Sequence, residues 1–234
     1  MTWEAVERRT TLTATGSQTR DQASTARQER RNDMATKIGI LLSGRGSNFL
    51  ALHGAMERHE IPAEIGMVVS NVAEAPGLEK ARALRLPTVC FPHRLEPSRE
   101  AHEAKVLDAL RHAGVEWVCL AGYMRLLSPF FVSQYPQRIL NIHPALLPSF
   151  PGLEGQQQAV DYGVKISGCT VHMVDEGLDS GPVVVQKAVS VKDDDTPESL
   201  SARILAEEHK AYPEALRMLL TERWNIDGRR VVFF

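Results

Sequence analysis

From Lys37 onward the chain alternates short apolar runs of strand length with stretches that carry helical spacing. The runs are KIGILLS (37–43), EIGMVVS (64–70), LPTVCF (86–91), VEWVCLAG (115–122) and RILNIH (138–143). A strand that is apolar on both faces has to be covered on both faces, and interleaved helices are what can cover it. The pattern therefore predicts an α/β fold built on a doubly wound, mostly parallel sheet. Helices are expected from about Ser47, in GLEKARALR, and in SREAHEAKVLDALRHAG, where Ser98 starts the helix and Gly114 closes it.

The later part departs from this alternation. SGCTVHMVD (167–175) and GPVVVQKAVSV (181–191) are separated only by the turn-rich EGLDSG, which predicts an antiparallel strand pair. TPESLSARILAEEHKAYPEALRMLL (196–220) reads as a long C-terminal helix, capped by Thr196, with Pro197 at its first position and a kink at Pro213. The tail GRRVVFF reads as one last edge strand.

Residues 1–36 are polar, rich in Thr, Ser, Gln and Arg, and lack a sustained apolar period. They are expected to form a disordered extension ahead of a domain spanning 37–234. Arginines recur there as in a transit peptide, but Glu4, Glu7, Asp21, Glu29 and Asp33 oppose that class, and Met34 is an alternative start. A formal net charge of −2 gives no sign of a nucleic-acid or membrane surface. Three cysteines without a CxxC pair predict a reduced, cytoplasmic protein without a structural metal.

SGRGSN (43–48) ends the first apolar run and opens the first helix, where backbone N–H groups and the helix dipole gather an anion. It lacks the Gly-Lys-Ser/Thr of a nucleoside-triphosphate loop. It also fits a dinucleotide fingerprint poorly, because Phe49 stands at the third glycine position and Ser70-Asn71 follows the second run instead of a carboxylate. A phosphate monoester held by Gly46, Ser47 and Asn48 fits better; a tight turn that binds nothing would use the same glycines.

Open α/β sheets bind ligands beyond the carboxyl ends of their strands. NIHPALLP (141–148) closes the fifth run there, and residues two apart on a strand share a face. Asn141 and His143 would face one side while prolines turn the chain away. AGYMRLLSP (121–129) and MVDEGLDSG (173–181) end at the same side and add the Met124–Leu127 backbone, Asp175 and Asp179. Asn, His and Asp together suit acyl transfer to an amine, in which a tetrahedral intermediate needs donors for its oxyanion. Asp179 is expected to raise the pKa of His143 and favour its imidazolium. The competing reading makes Asn141 a turn cap, Asp179 turn chemistry and His143 a packed ring; His172 is read as structural. No GxSxG elbow supports a serine nucleophile. Residues 142–160, with three prolines and Gly152, are a candidate lid.

SGRGSN, AGYMRLLSP, NIHPALLPSFPG and SGCTVHMVDEGLDSGP, in that order, closely resemble glycinamide ribonucleotide formyltransferases, a folate-dependent family of purine synthesis. The resemblance runs from about residue 37 to 220. It implies a Rossmann-like formyltransferase fold, 10-formyltetrahydrofolate as co-substrate, no metal, and small-molecule partners only, with the protein a monomer or homodimer. It implies Asn141, His143 and Asp179 as the catalytic trio, and Gly46, Ser47, Asn48 and Glu208 on the ribonucleotide. On the folate it implies Arg99, Met124, Arg125, Leu126 and Leu127, with Asn141 and the loop Asp175, Glu176, Gly177, Leu178 and Asp179. Glu154 stands where several relatives carry a histidine, Arg45 varies the glycine loop, and Leu205 replaces a polar residue of some relatives.

Relatives that pass the formyl group to water carry a folded module ahead of this core, and those acting on initiator tRNA carry a further domain after it. The polar run 1–36 and the end at Phe234 lead to the expectation of neither. A non-catalytic sugar-phosphate sensor would have no need of the Asn, His and Asp set.

Overall fold

A computed structural model describes residues 35–234. The expected extension lies, as far as residue 34, outside the described residues, and Thr36 already belongs to the first strand. The chain runs β1 (Thr36–Leu42), α1 (Ser47–Glu57), β2 (Ala63–Ser70), α2 (Pro76–Ala83), β3 (Thr88–Cys90), α3 (Arg99–His112) and β4 (Trp117–Leu120). It continues through α4 (Pro129–Gln134), β5 (Ile139–His143), α5 (Gly155–Tyr162), β6 (Ile166–Met173), β7 (Val183–Ser190), α6 (Pro197–Thr221), β8 (Trp224–Asp227) and β9 (Arg230–Phe233).

The strands form one sheet in the order β3-β2-β1-β4-β5-β6-β7-β9-β8. From β3 to β5 all pairs are parallel; β6 is antiparallel to both β5 and β7. The chain leaves β1 toward β2 and β3, then returns to place β4 on the other side of β1. The strand order therefore reverses between β1 and β4, which is where doubly wound sheets open a ligand crevice.

Alternate residues of β1 feed two cores. Ile38, Ile40 and Leu42 pack with Phe49 and Leu52 of α1, Leu78 of α2, and Ile204, Tyr212 and Leu216 of α6. Leu41 joins Leu107 and Leu110 of α3 and Phe131 of α4 on the other face. Both faces are thus covered, which is why the strands read as unbroken apolar runs.

Helix ends follow their local chemistry. The Ser98 hydroxyl accepts from Ala101 N, and Gly114 takes a left-handed φ of 69° just past α3. Thr196 and Ser199 cap α6 reciprocally, and that helix continues through Pro213 to Thr221. The tail corrects an expectation. Arg230–Phe233 is not the edge: it pairs with β7 on one side and with β8 on the other, and β8 is outermost. Trp224 explains the extra strand, since its indole packs edge-on against Trp117 and its Nε1 donates to Leu219 O. The candidate lid also holds an ordered helix, α5, in its second half.

Candidate active site

Past the carboxyl end of β1, Gly46 adopts φ 70° and ψ 29° at the start of α1. Only a residue without Cβ sits there easily, because a methyl would lie 2.8 Å from Gly77 Cα. No side chain caps this helix end. The first-turn N–H groups of α1, which have no intrahelical acceptor, are left to an incoming anion. Lys80 Nζ donates to Arg45 O and Gly77 N donates to Gly44 O, so α2 holds the loop from behind.

Asn48, buried in the first turn of α1, donates through Nδ2 to Glu208 Oε2 of α6 at 2.7 Å. Its Oδ1 is buried without a partner. Glu208 is only 7% exposed, and burial pushes its carboxyl above the ordinary carboxylate value against the pull of Asn48 and Arg45. An unpaired acceptor beside a costly buried carboxylate makes a receptor for a donor-rich ligand group.

At the end of β5, Asn141 and His143 share one face as their spacing requires. Asp179 reaches them from the loop between β6 and β7, held at a left-handed φ of 49°. Its Oδ2 accepts from Gly152 N at 2.8 Å and lies 3.4 Å from His143 Nδ1. The three sequence-predicted residues are brought together, with His143 at 4% exposure and the Asp179 side chain at 10%.

His172 joins them. It is the register partner of Asn141 across β5 and β6, and its ring accepts from Asn141 Nδ2 at 3.2 Å. Its Nδ1 meets Met173 O at 2.9 Å, which fixes Nδ1 as donor and Nε2 as acceptor. Nε2 also lies 3.6 Å from Asp179 Oδ1. His172, read as structural, is buried within the constellation, where it holds the Asn141 amide. The signal was present, because Thr170 and His172 repeat the two-residue polar spacing of Asn141 and His143. Thr170 holds the turn that follows β5, donating to Ala145 O and accepting from Leu147 N.

The electrostatics give Asp179 the upward pull on His143 that was expected, but burial sets the net direction. Both nitrogens of His143 face acceptors, Nδ1 the Asp179 carboxylate and Nε2 the Phe150 carbonyl at 2.8 Å. Burial nevertheless outweighs the upward pull of both, and His172 adds to the lowering, so the His143 pKa lies below its ordinary value. Burial alone would raise Asp179, but the bond from Gly152 N and the charge of His143, with the His172 ring close by, hold it below the usual carboxylate value. Asp179 thus favours the imidazolium without securing it.

The segment after β4 lies beside this site. Met124 and Leu126 are exposed, Arg125 and Leu127 half-buried. Glu103 of α3, itself buried, accepts from Ser128 N at 2.8 Å and from the Ser128 hydroxyl, and so anchors the segment's far end. Leu178 is also exposed, between exposed Gly177 and half-buried Asp179. Asp175 is turned to its own loop, where Oδ1 accepts from Gly177 N and Ser180 Oγ; Glu176 beside it is exposed. Arg99, at the start of α3, is exposed and makes no side-chain hydrogen bond or ion pair among the described residues.

A separate hollow lined by Glu116, Trp117, Tyr135, Arg138 and Trp224 lies at the amino ends of β4 and β5, away from this chemistry. Among the described residues no cluster of His, Cys, Asp and Glu is arranged to hold a metal, and no helix is long and apolar enough to cross a membrane.

The profile of the formyl transferase family matches residues 36–216. The trifunctional purine biosynthetic protein adenosine-3 of Drosophila pseudoobscura pseudoobscura is 45% identical over 201 residues, covering 85% of this chain; the chain spans 15% of that protein's length. The phosphoribosylglycinamide formyltransferase of Bacillus subtilis (strain 168) is 39% identical over 184 residues, covering 79% of this chain and 94% of its own. The crystal structure of glycinamide ribonucleotide transformylase 1 from Symbiobacterium toebii superimposes with a TM-score of 0.84 at 47% identity. It covers 86% of this chain and 94% of that one.

Proposed function

Because this chain belongs to the formyl transferase family, we propose that it transfers the formyl group of 10-formyltetrahydrofolate to the glycinamide amine of 5-phosphoribosylglycinamide. The products are formylglycinamide ribonucleotide and tetrahydrofolate. The observation that carries this reading is the meeting of Asn141, His143, Asp179 and His172 at the ligand end of the sheet. The names of relatives matched along nearly their whole length support the same choice of substrates.

In this reading the α1 end, with Gly46, Ser47 and Asn48, receives the phosphate, and Glu208 with the free Asn48 Oδ1 receives the glycinamide end. The exposed Met124, Leu126 and Leu178 offer an apolar rim for a flat heterocycle. The Met124–Leu127 backbone, Arg99 and the 175–179 loop are assigned to the folate. The Asn141 amide and the His143 ring, its Nε2 released from the Phe150 carbonyl, supply donors to the formyl oxygen as it gains negative charge. In the free protein burial disfavours the imidazolium; developing oxyanion charge beside the ring tips that balance toward protonation. Asp179 holds the resulting charge and passes the amine's proton onward through water. No metal, membrane or nucleic acid is asked for, and a monomer or homodimer in the cytoplasm suffices.

The test is purified protein with 10-formyltetrahydrofolate, with and without glycinamide ribonucleotide. Tetrahydrofolate should be released only when the ribonucleotide is present. Release that ignores the ribonucleotide would assign the formyl group to water instead.

A further inference from the structure

Resting on the transferase reading, we propose that Ser43 is a positioning residue that couples the ribonucleotide half of the site to the folate half. Ser43 stands just beyond β1, at the point where the strand order reverses between β1 and β4. Its backbone N donates to Gly122 O at 3.0 Å, extending the β1–β4 ladder past its regular end. Its hydroxyl then accepts from Met124 N at 2.8 Å and donates to Asn71 Oδ1 at 2.6 Å. One side chain therefore joins the ends of three parallel strands, β1, β2 and β4.

The hydroxyl has no slack in either partner. Asn71 is buried and is fixed from the other side by His93, whose Nδ1 lies 3.2 Å from Asn71 Nδ2 and 3.1 Å from Asn71 O. Met124 opens the segment whose far end Glu103 anchors through Ser128. Three residues beyond Ser43 in the other direction comes Gly46, where the chain turns into the anion-binding end of α1. A ligand that holds Gly46–Asn48 restrains Ser43 through the short loop already fixed to α2, and Ser43 passes that restraint to the Met124 amide. Coupling of this kind is reciprocal, so each substrate should tighten the other.

Neither Asn141, His143 nor Asp179 is touched by this network, so its loss should appear in binding and in its cooperativity. In Ser43→Ala the Met124 N–H and Asn71 Oδ1 lose their partner, and KM for both substrates is expected to rise about tenfold. Ser43→Thr keeps the hydroxyl and should recover both KM values to within about threefold. A lower melting temperature with both KM values unchanged in Ser43→Ala would mean a merely structural role and overturn the proposal. So would a change in one KM alone.

A second measurement is independent of turnover. Ribose 5-phosphate added to the parent protein should slow amide hydrogen exchange at Met124, and that slowing should vanish in Ser43→Ala. No slowing in the parent overturns the coupling. Failure of the parent to use glycinamide ribonucleotide in the formyl assay sinks the transferase reading instead, and the Met124 exchange still decides whether Ser43 connects the loops.

Discussion

Asn141 and His172 stand opposite each other across β5 and β6, and the Asn141 amide donates to the His172 ring at 3.2 Å. The other His172 nitrogen is committed to Met173 O, so the ring presents a fixed acceptor that decides which way the amide points. Replacing His172 by Leu keeps bulk and removes that acceptor. We expect kcat to fall about tenfold while KM for the folate stays within about threefold, as for loss of an interaction felt mainly in the transition state. An unchanged kcat would show that Asn141 needs no such partner.

Asp179 pulls the His143 pKa upward against a larger downward effect of burial. Asp179→Asn removes the pull, so the His143 pKa should fall further. The alkaline limb of the kcat profile should then move to lower pH, with kcat reduced on the order of a hundredfold. A profile that keeps its limbs would take Asp179 out of this role. Stability has its own sign. Both groups have folded values below their ordinary ones, 6.5 for His143 and 3.8 for Asp179, so the unfolded chain binds more protons. Melting temperature should therefore fall as pH drops below about 6.5 and again below about 3.8.

Glu208 behaves in the opposite sense. Burial holds its carboxyl above the ordinary 4.5, so the folded chain binds more protons and stability declines as pH rises through that region. Glu208→Gln removes the buried charge. The ligand-free variant should melt no lower than the parent near pH 7, while KM for the ribonucleotide rises about tenfold or more. Calorimetry beside steady-state kinetics separates the two effects, and a variant that loses stability without losing affinity would refute the assignment.

Gly46→Ala forces a methyl toward Gly77 Cα at 2.8 Å and holds it at φ 70°. The expected loss is about 1–3 kcal/mol of stability. Because Gly46 leads directly into α1, KM for the ribonucleotide should rise more than KM for the folate. Equal rises would place the phosphate elsewhere.

The five parallel strands were legible because helices cover both faces of the sheet, most completely at β1 and β4, which leaves apolar runs that local spacing alone can find. Two short helices, α4 and α5, were not. α4 has only six residues, and GQQQAVDY of α5 offers few apolar positions, whereas the equally short α2 carries the helix formers of GLEKARA. The trio was half legible: Asn141 and His143 announce themselves by sharing a strand face, whereas Asp179 arrives from a turn whose acidic residues look alike in the sequence. Asp175 and Asp179 separate only in three dimensions, one closing its own loop and the other reaching two histidines. The lowered His143 pKa was hidden as well, since burial is a property of everything packed around the ring.

The strand that bears Asn141 and His143 is otherwise Ile139, Leu140 and Ile142, all buried. In such a strand hydrophobicity says almost nothing about alignment, because either face would be content in the core. A slip of one residue would drive the amide and the imidazole inward and cost several kcal/mol in unpaired polar groups. The two side chains given to chemistry are thus also the punctuation that tells β5 where to stop against its neighbours. Selection for turnover and selection for a single fold act here on the same two letters.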